Sequence, residues 1–143
     1  AITSNAGWNV PENAAFLTEM CRLFKSRGIR TSIFIDPDPK MAFAAAECGA
    51  DRVEMYTAAF AEGFPTDPQK AIEPYIRTAV AAREAGLGLN AGHDLNLDNL
   101  SFFIRNIPWT DEVSIGHALI CDALYMGLEK TIREYLGQIA KNC

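Results

Sequence analysis

The sequence has little that would suit it to nucleic acid or to a membrane. It carries 13 basic against 18 acidic residues, a formal net charge of -5, and no basic stripe that could neutralise a phosphate backbone, so we expect no nucleic-acid partner. No apolar run approaches the roughly 20 residues that span a bilayer, and the first residues lack the basic and apolar regions of a signal peptide. We therefore expect a cytoplasmic protein with no membrane partner.

Familiar metal and cofactor motifs are also missing. The 4 cysteines lie far apart, and none forms a CxxC pair or stands at zinc-ligand spacing from a histidine: Cys21, Cys48, Cys121 and Cys143. The sequence contains no GxGxxG fingerprint, no P-loop and no nucleophile elbow. These absences predict reduced thiols and no metal site, and any function must rest on other residues.

Apolar residues are abundant, at 49% of 143, which is ample for the core of one domain. Apolar spacing at i, i+3, i+4 and i+7 predicts a first helix over 11–27, capped by Asn9 and ended by Gly28. Strands are predicted at 29–36, 52–57, 87–90 and 112–115, and the helices that follow them at 40–48, 67–85, 97–104 and 117–139. Pro74 should kink or restart the helix that contains it.

This alternation predicts parallel βα units joined by right-handed crossovers. Four units preceded by a helix fit either a small open sheet or half of a (β/α)8 TIM barrel, whose usual length is about 250 residues. Polar residues at the end of every predicted strand favour the barrel, because a flavodoxin-like sheet would concentrate them at one switch point. We expect residues 1–143 to form the carboxyl-terminal half of one TIM-barrel domain, with both outer strands unpaired and the isolated chain prone to association.

Glu54 is the first candidate for chemistry. The period of two places Glu54 and Tyr56 on the strand face opposite Val53 and Met55. A carboxylate on an inward face loses hydration unless charges or hydrogen bonds replace the water. A functional carboxylate and a solvated or salt-bridged strand-end residue both fit this pattern.

His93 and the pair Gly116 and His117 follow the third and fourth predicted strands. An imidazole in a turn can titrate near neutral pH and transfer protons, although a lone turn histidine is often merely exposed. Gly116 and His117 open the last helix, where free backbone N–H groups and the helix dipole favour an anion. A tight turn with a capping histidine explains that pair equally well.

Two further positions are weaker candidates. Asp36, followed by Pro37, resembles a helix N-cap with proline in the first turn. Thr3 and Ser4 suit a flexible loop that touches a phosphate, yet an ordinary capping segment explains them as well.

Four runs together resemble the pyridoxine 5'-phosphate synthase family in order and spacing: SIFIDPD at 32–38, AAECGADRVE at 45–54, LNAGHDLN at 89–96 and SIGHALI at 114–120. The resemblance covers essentially the whole chain. It implies a TIM-barrel transferase of vitamin B6 biosynthesis, assembled as a homo-octamer and needing no metal or organic cofactor. Members condense 1-deoxy-D-xylulose 5-phosphate with 3-amino-2-oxopropyl phosphate to give pyridoxine 5'-phosphate, phosphate and water.

The same resemblance implies roles for individual residues. His93 matches the family's proton-donating histidine, and Glu54 matches a carboxylate that stabilises the transition state. Gly116 and His117 match the backbone site for the amino-ketone phosphate, and Thr3 matches a contact to the deoxyxylulose phosphate.

The chain departs from the family at Asp94 and in what it lacks. The family usually has glycine after the catalytic histidine, where the backbone contacts the amino-ketone, so we expect the Asp94 carboxylate to point away from the phosphates. Nothing matches the family's first four strands, which supply a second catalytic histidine and glutamate, so we expect the chain alone to be inactive. Two other classes remain open: another phosphate-binding TIM-barrel synthase or isomerase, and a non-catalytic half-barrel that serves as an interaction fragment.

Overall fold

The computed structural model describes residues 5–140, and helices alternate with strands throughout them. In chain order the elements are α1 Ala14–Lys25, β1 Ser32–Ile35, α2 Pro39–Glu47, β2 Arg52–Tyr56, α3 Ala58–Gly63, α4 Pro68–Glu84, β3 Gly88–Gly92, α5 Leu100–Asn106, β4 Glu112–Ser114, α6 His117–Met126 and α7 Leu128–Ala140. Thr3 lies outside the described residues. None of the helices between residues 5 and 140 is long and apolar enough to cross a membrane.

The four strands form one parallel sheet in the order β1-β2-β3-β4. In the register, Ile33 lies beside Val53, Val53 beside Leu89, and Ala91 beside Val113. The predicted parallel βα units are therefore confirmed. Within residues 5–140 the strand order does not reverse, so this part of the sheet contains no switch point of the kind at which doubly wound sheets bind their ligands.

The two faces of the sheet have different compositions. Alternate residues of the strands form the apolar face, where the helices pack, and these residues are buried: Ile33, Ile35, Val53, Met55, Leu89 and Ala91. The opposite face carries Phe34, Glu54 and Tyr56, all half-buried, and the exposed Ser114. The period of two explains the division, because successive side chains point to opposite faces. The predicted orientation of Glu54 and Tyr56 is thus confirmed.

Asp38, rather than Asp36, caps the second helix. The backbone N–H of Lys40 donates to Asp38 Oδ1 at 2.9 Å, and Pro39 occupies the first helical position, where its missing N–H costs nothing. The expectation for Asp36 was wrong. Its Oδ1 instead accepts the backbone N–H of Gly7 at 3.0 Å, which ties the segment before α1 to the end of β1.

Two helix predictions are corrected at their ends. The helix predicted over 117–139 is two helices, because Gly127 adopts φ 81° and ψ 145°, a conformation that residues with a side chain resist. The first helix begins at Ala14, after a turn, with Asn13 rather than Asn9 at the N-cap position. Pro74, by contrast, lies within the continuous helix α4, so no restart occurs there.

The short helix α3 was not predicted, and a buried tyrosine anchors its start. The Phe60 N–H donates to the Tyr75 hydroxyl at 3.1 Å, and that hydroxyl donates to the Tyr56 carbonyl at 2.9 Å. Burial raises the pKa of Tyr75 to about 12, so the donor proton stays in place. The Tyr75 hydroxyl on α4 therefore provides a hydrogen-bond partner both for the backbone at the end of β2 and for the first turn of α3.

Replacing Tyr75 with phenylalanine should lower the free energy of unfolding of the chain by about 1–3 kcal/mol, because a buried N–H and a buried carbonyl lose their partner. Urea unfolding measures this change. The matched control is Tyr125→Phe, since Tyr125 is 92% exposed and its change should stay within about 0.5 kcal/mol. Equal losses in the two variants would show that the Tyr75 hydroxyl bridge contributes nothing.

Candidate functional site

An open cavity of about 780 Å³ lies on the polar face of the sheet, at the carboxyl ends of the strands. Its lining comes from all four strands or from the turns that follow them: Phe34, Glu54, His93, Asp94, Ser114, Ile115, Gly116 and His117. The predicted site residues of the described chain thus border a single cavity, while Thr3 lies outside the described residues. In TIM barrels this end of the strands carries the active site.

Glu54 projects from β2 into this cavity and is half-buried. Burial raises the pKa of its carboxyl group, and the nearby Glu112 carboxylate raises it further, while a hydrogen bond from Ser114 and the charge of His93 oppose the shift. Space for this carboxylate depends on Gly92, because a Cβ atom there would lie 2.5 Å from Glu54 Oε1. Glu54 is therefore a poorly hydrated carboxylate held by the neighbouring strands.

His93 follows β3 and places its ring at the cavity wall. Its backbone N–H donates to the Ser114 carbonyl at 3.1 Å, and its ring meets Tyr56 edge-on at a centroid distance of 5.3 Å. Nδ1 lies 2.9 Å from Asp94 Oδ2. The expectation that Asp94 points away was wrong, because this carboxylate turns back to the imidazole and borders the cavity.

Thr57 holds the turn that carries His93, and sequence reasoning missed it. Its backbone N–H and its hydroxyl both donate to the Gly92 carbonyl, at 3.1 Å and 2.8 Å, and its hydroxyl accepts the Asp94 N–H at 3.2 Å. Thr57 is fully buried. A polar residue at the end of a predicted strand was the available signal, but only the fold shows that it reaches across to the end of β3.

Gly116 and His117 mark the start of α6 at the cavity edge. The first bond of this helix runs from the Ile120 N–H to the Gly116 carbonyl at 3.1 Å, so the preceding amides of the first turn have no partner within the helix. A Cβ atom at Gly116 would meet nothing within 4 Å, which shows that the approach is open. This geometry suits an anion.

A second polar cluster lies at the amino end of the same sheet face. Arg52 donates to Asn90 Oδ1 at 2.8 Å, Asn90 donates to Glu112 Oε2 at 3.1 Å, and Arg30 donates to Glu112 Oε1 at 2.8 Å. The hydrogen bond from Arg30 holds the pKa of Glu112 below its usual value. Asn90, in the middle of β3, is part of this cluster.

The cavity therefore offers a carboxylate, an imidazole and a helix start, a set that can transfer protons beside a bound anion. Among residues 5–140, no three His, Cys, Asp or Glu side chains are grouped to hold a metal ion.

The sheet and its one-sided helices define the class as an α/β protein, and comparison with solved structures agrees. The HMG-CoA lyase from Brucella melitensis matches 82% of this chain and 45% of that chain, with a TM-score of 0.56 and 19% identity. The Amycolatopsis orientalis BexX/CysO complex matches 90% of this chain and 50% of that chain, with a TM-score of 0.55 and 17% identity. These likenesses concern the fold alone.

Sequence comparison then gives the family. The family model of the pyridoxal phosphate biosynthesis protein PdxJ matches residues 1–141, and the chain belongs to this family. The pyridoxine 5'-phosphate synthase of Bacteroides thetaiotaomicron is 56% identical over 142 residues, which are 99% of this chain and 58% of the relative. That of Cytophaga hutchinsonii is 56% identical over 141 residues, covering 99% and 59%. The chain thus spans less than two thirds of the length of these relatives.

The raised pKa of Glu54 predicts a pH-dependent effect of Glu54→Gln on stability. Above the ordinary value of 4.5, the folded state holds this proton more tightly than the unfolded state, so the wild-type chain loses stability as the pH rises through this window. Glutamine cannot ionise. The free energy of unfolding of Glu54→Gln, relative to wild type, should therefore increase with pH.

Urea unfolding at a series of pH values measures this difference. Glu84→Gln, at an exposed carboxylate that ends α4, measures the effect of removing one charge. The interpretation fails when the two variants differ from wild type by the same amount at every pH.

Proposed function

We propose that this chain is the carboxyl-terminal part of a pyridoxine 5'-phosphate synthase and contributes half of the active site. The observation that carries the proposal is that Glu54, His93 and the start of α6 border one cavity. Family membership supports the proposal, because the relatives that match this chain are named pyridoxine 5'-phosphate synthase. It also argues against the alternative of another phosphate-handling barrel.

We further propose that residues 1–143 belong to one TIM-barrel domain, which a preceding segment completes. The sequential strand order supports this, and so do helices that pack on one face only, since open parallel sheets are covered on both faces. At the outer edge of β1, the Trp8 N–H donates to the Phe34 carbonyl at 2.8 Å, which starts a further row of pairing. Beside it, an apolar cavity of about 290 Å³ between α1 and β1 offers space for one or two side chains of a further strand.

Apolar surface is also exposed on the two helices that follow β4. Large apolar side chains on α6 and α7 are exposed: Ile120, Leu124, Tyr125, Leu128, Ile132 and Leu136. A monomeric protein rarely leaves so much apolar surface in water. The other half of the proposed barrel would cover part of this surface. The homo-octamer that the family resemblance implies stays a prediction.

The proposed reaction joins two phosphorylated substrates, an amino-ketone and a deoxy sugar. The amine adds to a ketone and the adduct loses water to form an imine, after which ring closure expels phosphate and more water, and each step moves protons. Glu54 would offset positive charge on the imine-like intermediates, because a poorly hydrated carboxylate interacts strongly with a developing cation. His93 would deliver a proton to a departing oxygen.

The phosphate of the amino-ketone would bind at the start of α6, at the backbone of Gly116 and His117. Thr3 is the proposed contact to the deoxyxylulose phosphate, and Asp94 was assigned by resemblance to the amino-ketone. The cavity is bordered by Glu54, His93 and the start of α6, so the amino-ketone would lie with its phosphate at α6 and its reacting amine near Glu54 and His93.

The activity test uses the chain alone and a completed chain, in which the amino-terminal part of the Bacteroides thetaiotaomicron relative precedes residue 1. Pyridoxine 5'-phosphate and released phosphate should appear only with the completed chain. His93→Asn in that chain should lower kcat by about 100- to 10,000-fold, the usual contribution of a general acid. Asp98→Ala, at an exposed carboxylate in the same loop, is the control.

A folded completed chain that yields no pyridoxine 5'-phosphate would overturn the proposed function and favour a non-catalytic interaction fragment. Unchanged turnover in His93→Asn would remove His93 from the mechanism while leaving the function in place.

Crystals of the completed chain grown with inorganic phosphate should show an anion within hydrogen-bond distance of the first amides of α6, because these N–H groups have no partner within the helix. His117→Ala should keep the anion, since it removes the imidazole and not the amide. Loss of the anion in that variant would show that the His117 imidazole, rather than the backbone amide, binds the anion. Empty density at α6 in both proteins would refute the phosphate site.

A further inference from the structure

His93 and Asp94 form a hydrogen-bonded pair at the edge of the cavity. Nδ1 of His93 and Oδ2 of Asp94 are 2.9 Å apart, a normal hydrogen-bond length. An ionised carboxylate has only acceptors, so the imidazole must donate through Nδ1–H. The other ring nitrogen, Nε2, is then the one left for a reacting group.

We infer that Asp94 is a positioning residue for His93: its carboxylate fixes the orientation and the tautomer of the imidazole so that Nε2 serves the reaction. This inference rests on the proposed function, and it changes the role of Asp94 from a substrate contact to a partner of the proton donor. A carboxylate on Nδ1 also stabilises the imidazolium, the form that gives up a proton.

The backbone around His93 is shaped to make this contact. His93 has φ 96°, a conformation that is strained for a residue with a side chain and persists only where the surroundings enforce it. The surroundings do so here, because the N–H of His93 donates to the Ser114 carbonyl and the N–H of Asp94 donates to the Thr57 hydroxyl. The turn therefore returns the Asp94 carboxylate to the preceding ring.

The backbone of Asp94 is already engaged, which weakens the alternative that it binds substrate. Its N–H donates to Thr57 Oγ1 at 3.2 Å, and its carbonyl accepts from Asn99 Nδ2 at 3.4 Å. The family resemblance assigns the contact with the amino-ketone to the backbone at this position. Here both backbone groups hold the turn, while the side chain holds the imidazole.

Other titratable groups face His93 but do not replace Asp94. Glu54 and Tyr56 come from β2, and His117 lines the same cavity at the start of α6. Tyr56 meets the ring through an edge-on aromatic contact, and the charge of His93 lowers the pKa of Glu54. Within residues 5–140, Asp94 is the acid that lies within hydrogen-bond distance of the imidazole.

The test is a nitrogen-15 NMR measurement of the His93 tautomer in the completed chain, at a pH where the imidazole is neutral. Signals that disappear in His93→Gln identify His93. The wild type should show a protonated Nδ1 and an unprotonated Nε2, whereas Asp94→Ala should move the proton toward Nε2, because the acceptor beside Nδ1 is gone. Asp98→Ala, an exposed carboxylate of the same loop, should leave the tautomer unchanged.

Turnover supplies the second readout. Asp94→Ala should lower kcat by about 10- to 100-fold, the loss seen when carboxylates that orient metal-bound histidines are removed, with little change in KM for the amino-ketone. Asp94→Gly, which restores the residue usual in the family, serves as a second variant if alanine disturbs the turn. It should also move the proton of His93 toward Nε2.

An Nε2-protonated His93 in the wild type, or a tautomer that stays the same in Asp94→Ala and Asp94→Gly, would overturn the inference. The NMR result does not depend on catalysis. A wild-type completed chain with the expected tautomer but no synthase activity would therefore overturn the proposed function and leave the pair in place.

Discussion

The cavity depends on the close approach of three strands at Gly92. A side chain at this position would collide with Glu54 from β2 and with Ser114 from β4, since its Cβ atom would lie 2.5 Å from Glu54 Oε1 and 2.9 Å from Ser114 Cβ. The Gly92 carbonyl accepts both hydrogen bonds from Thr57, and the next residue is His93. The absence of a side chain at Gly92 thus leaves room for the Glu54 carboxylate. The hydrogen bonds to the Gly92 carbonyl fix the position of the next residue, His93.

Charge is divided between the two ends of the same sheet face. At the amino end, Arg30 and Arg52 surround Glu112, and the resulting cluster joins the ends of three strands and the approach to β1. At the carboxyl end, burial sets the pKa of Glu54, and none of the other groups that act on it is an arginine or a lysine. A carboxylate without a permanent cation is free to stabilise a positive charge that develops on a bound molecule, which is the kind of preorganised electrostatics that catalysis uses.

The sequence predicted what periodicity controls. The alternation in β2 placed Val53 and Met55 in the core and Glu54 toward the cavity, and Gly28, which was predicted to end the first helix, follows it with a positive φ. The parallel order followed from the alternation of strands and helices. These features are local or follow from a few general rules, so one sequence was enough to predict them.

The features that the sequence did not reveal depend on tertiary contacts. Helix α3 is short and starts on a bond to Tyr75, which is distant in the chain, and no local cap marks it. Gly127 carries no signal that distinguishes a break from a tolerated helical glycine. Thr57 and the return of Asp94 toward His93 require the ends of β2 and β3 to be neighbours, which pattern alone does not establish.

The described residues already supply contacts that orient His93, whereas the exclusion of water requires something more. Thr57, Ser114 and Asn99 hold the backbone of the turn that carries His93, and Asp94 lies within hydrogen-bond distance of the imidazole. Exclusion of water is different, because the cavity of about 780 Å³ is open and only a further wall can close it. Preorganised groups gain most of their effect once water is excluded. The site on this chain should therefore keep its geometry while the cavity is open, and the proposed barrel would add the exclusion of water.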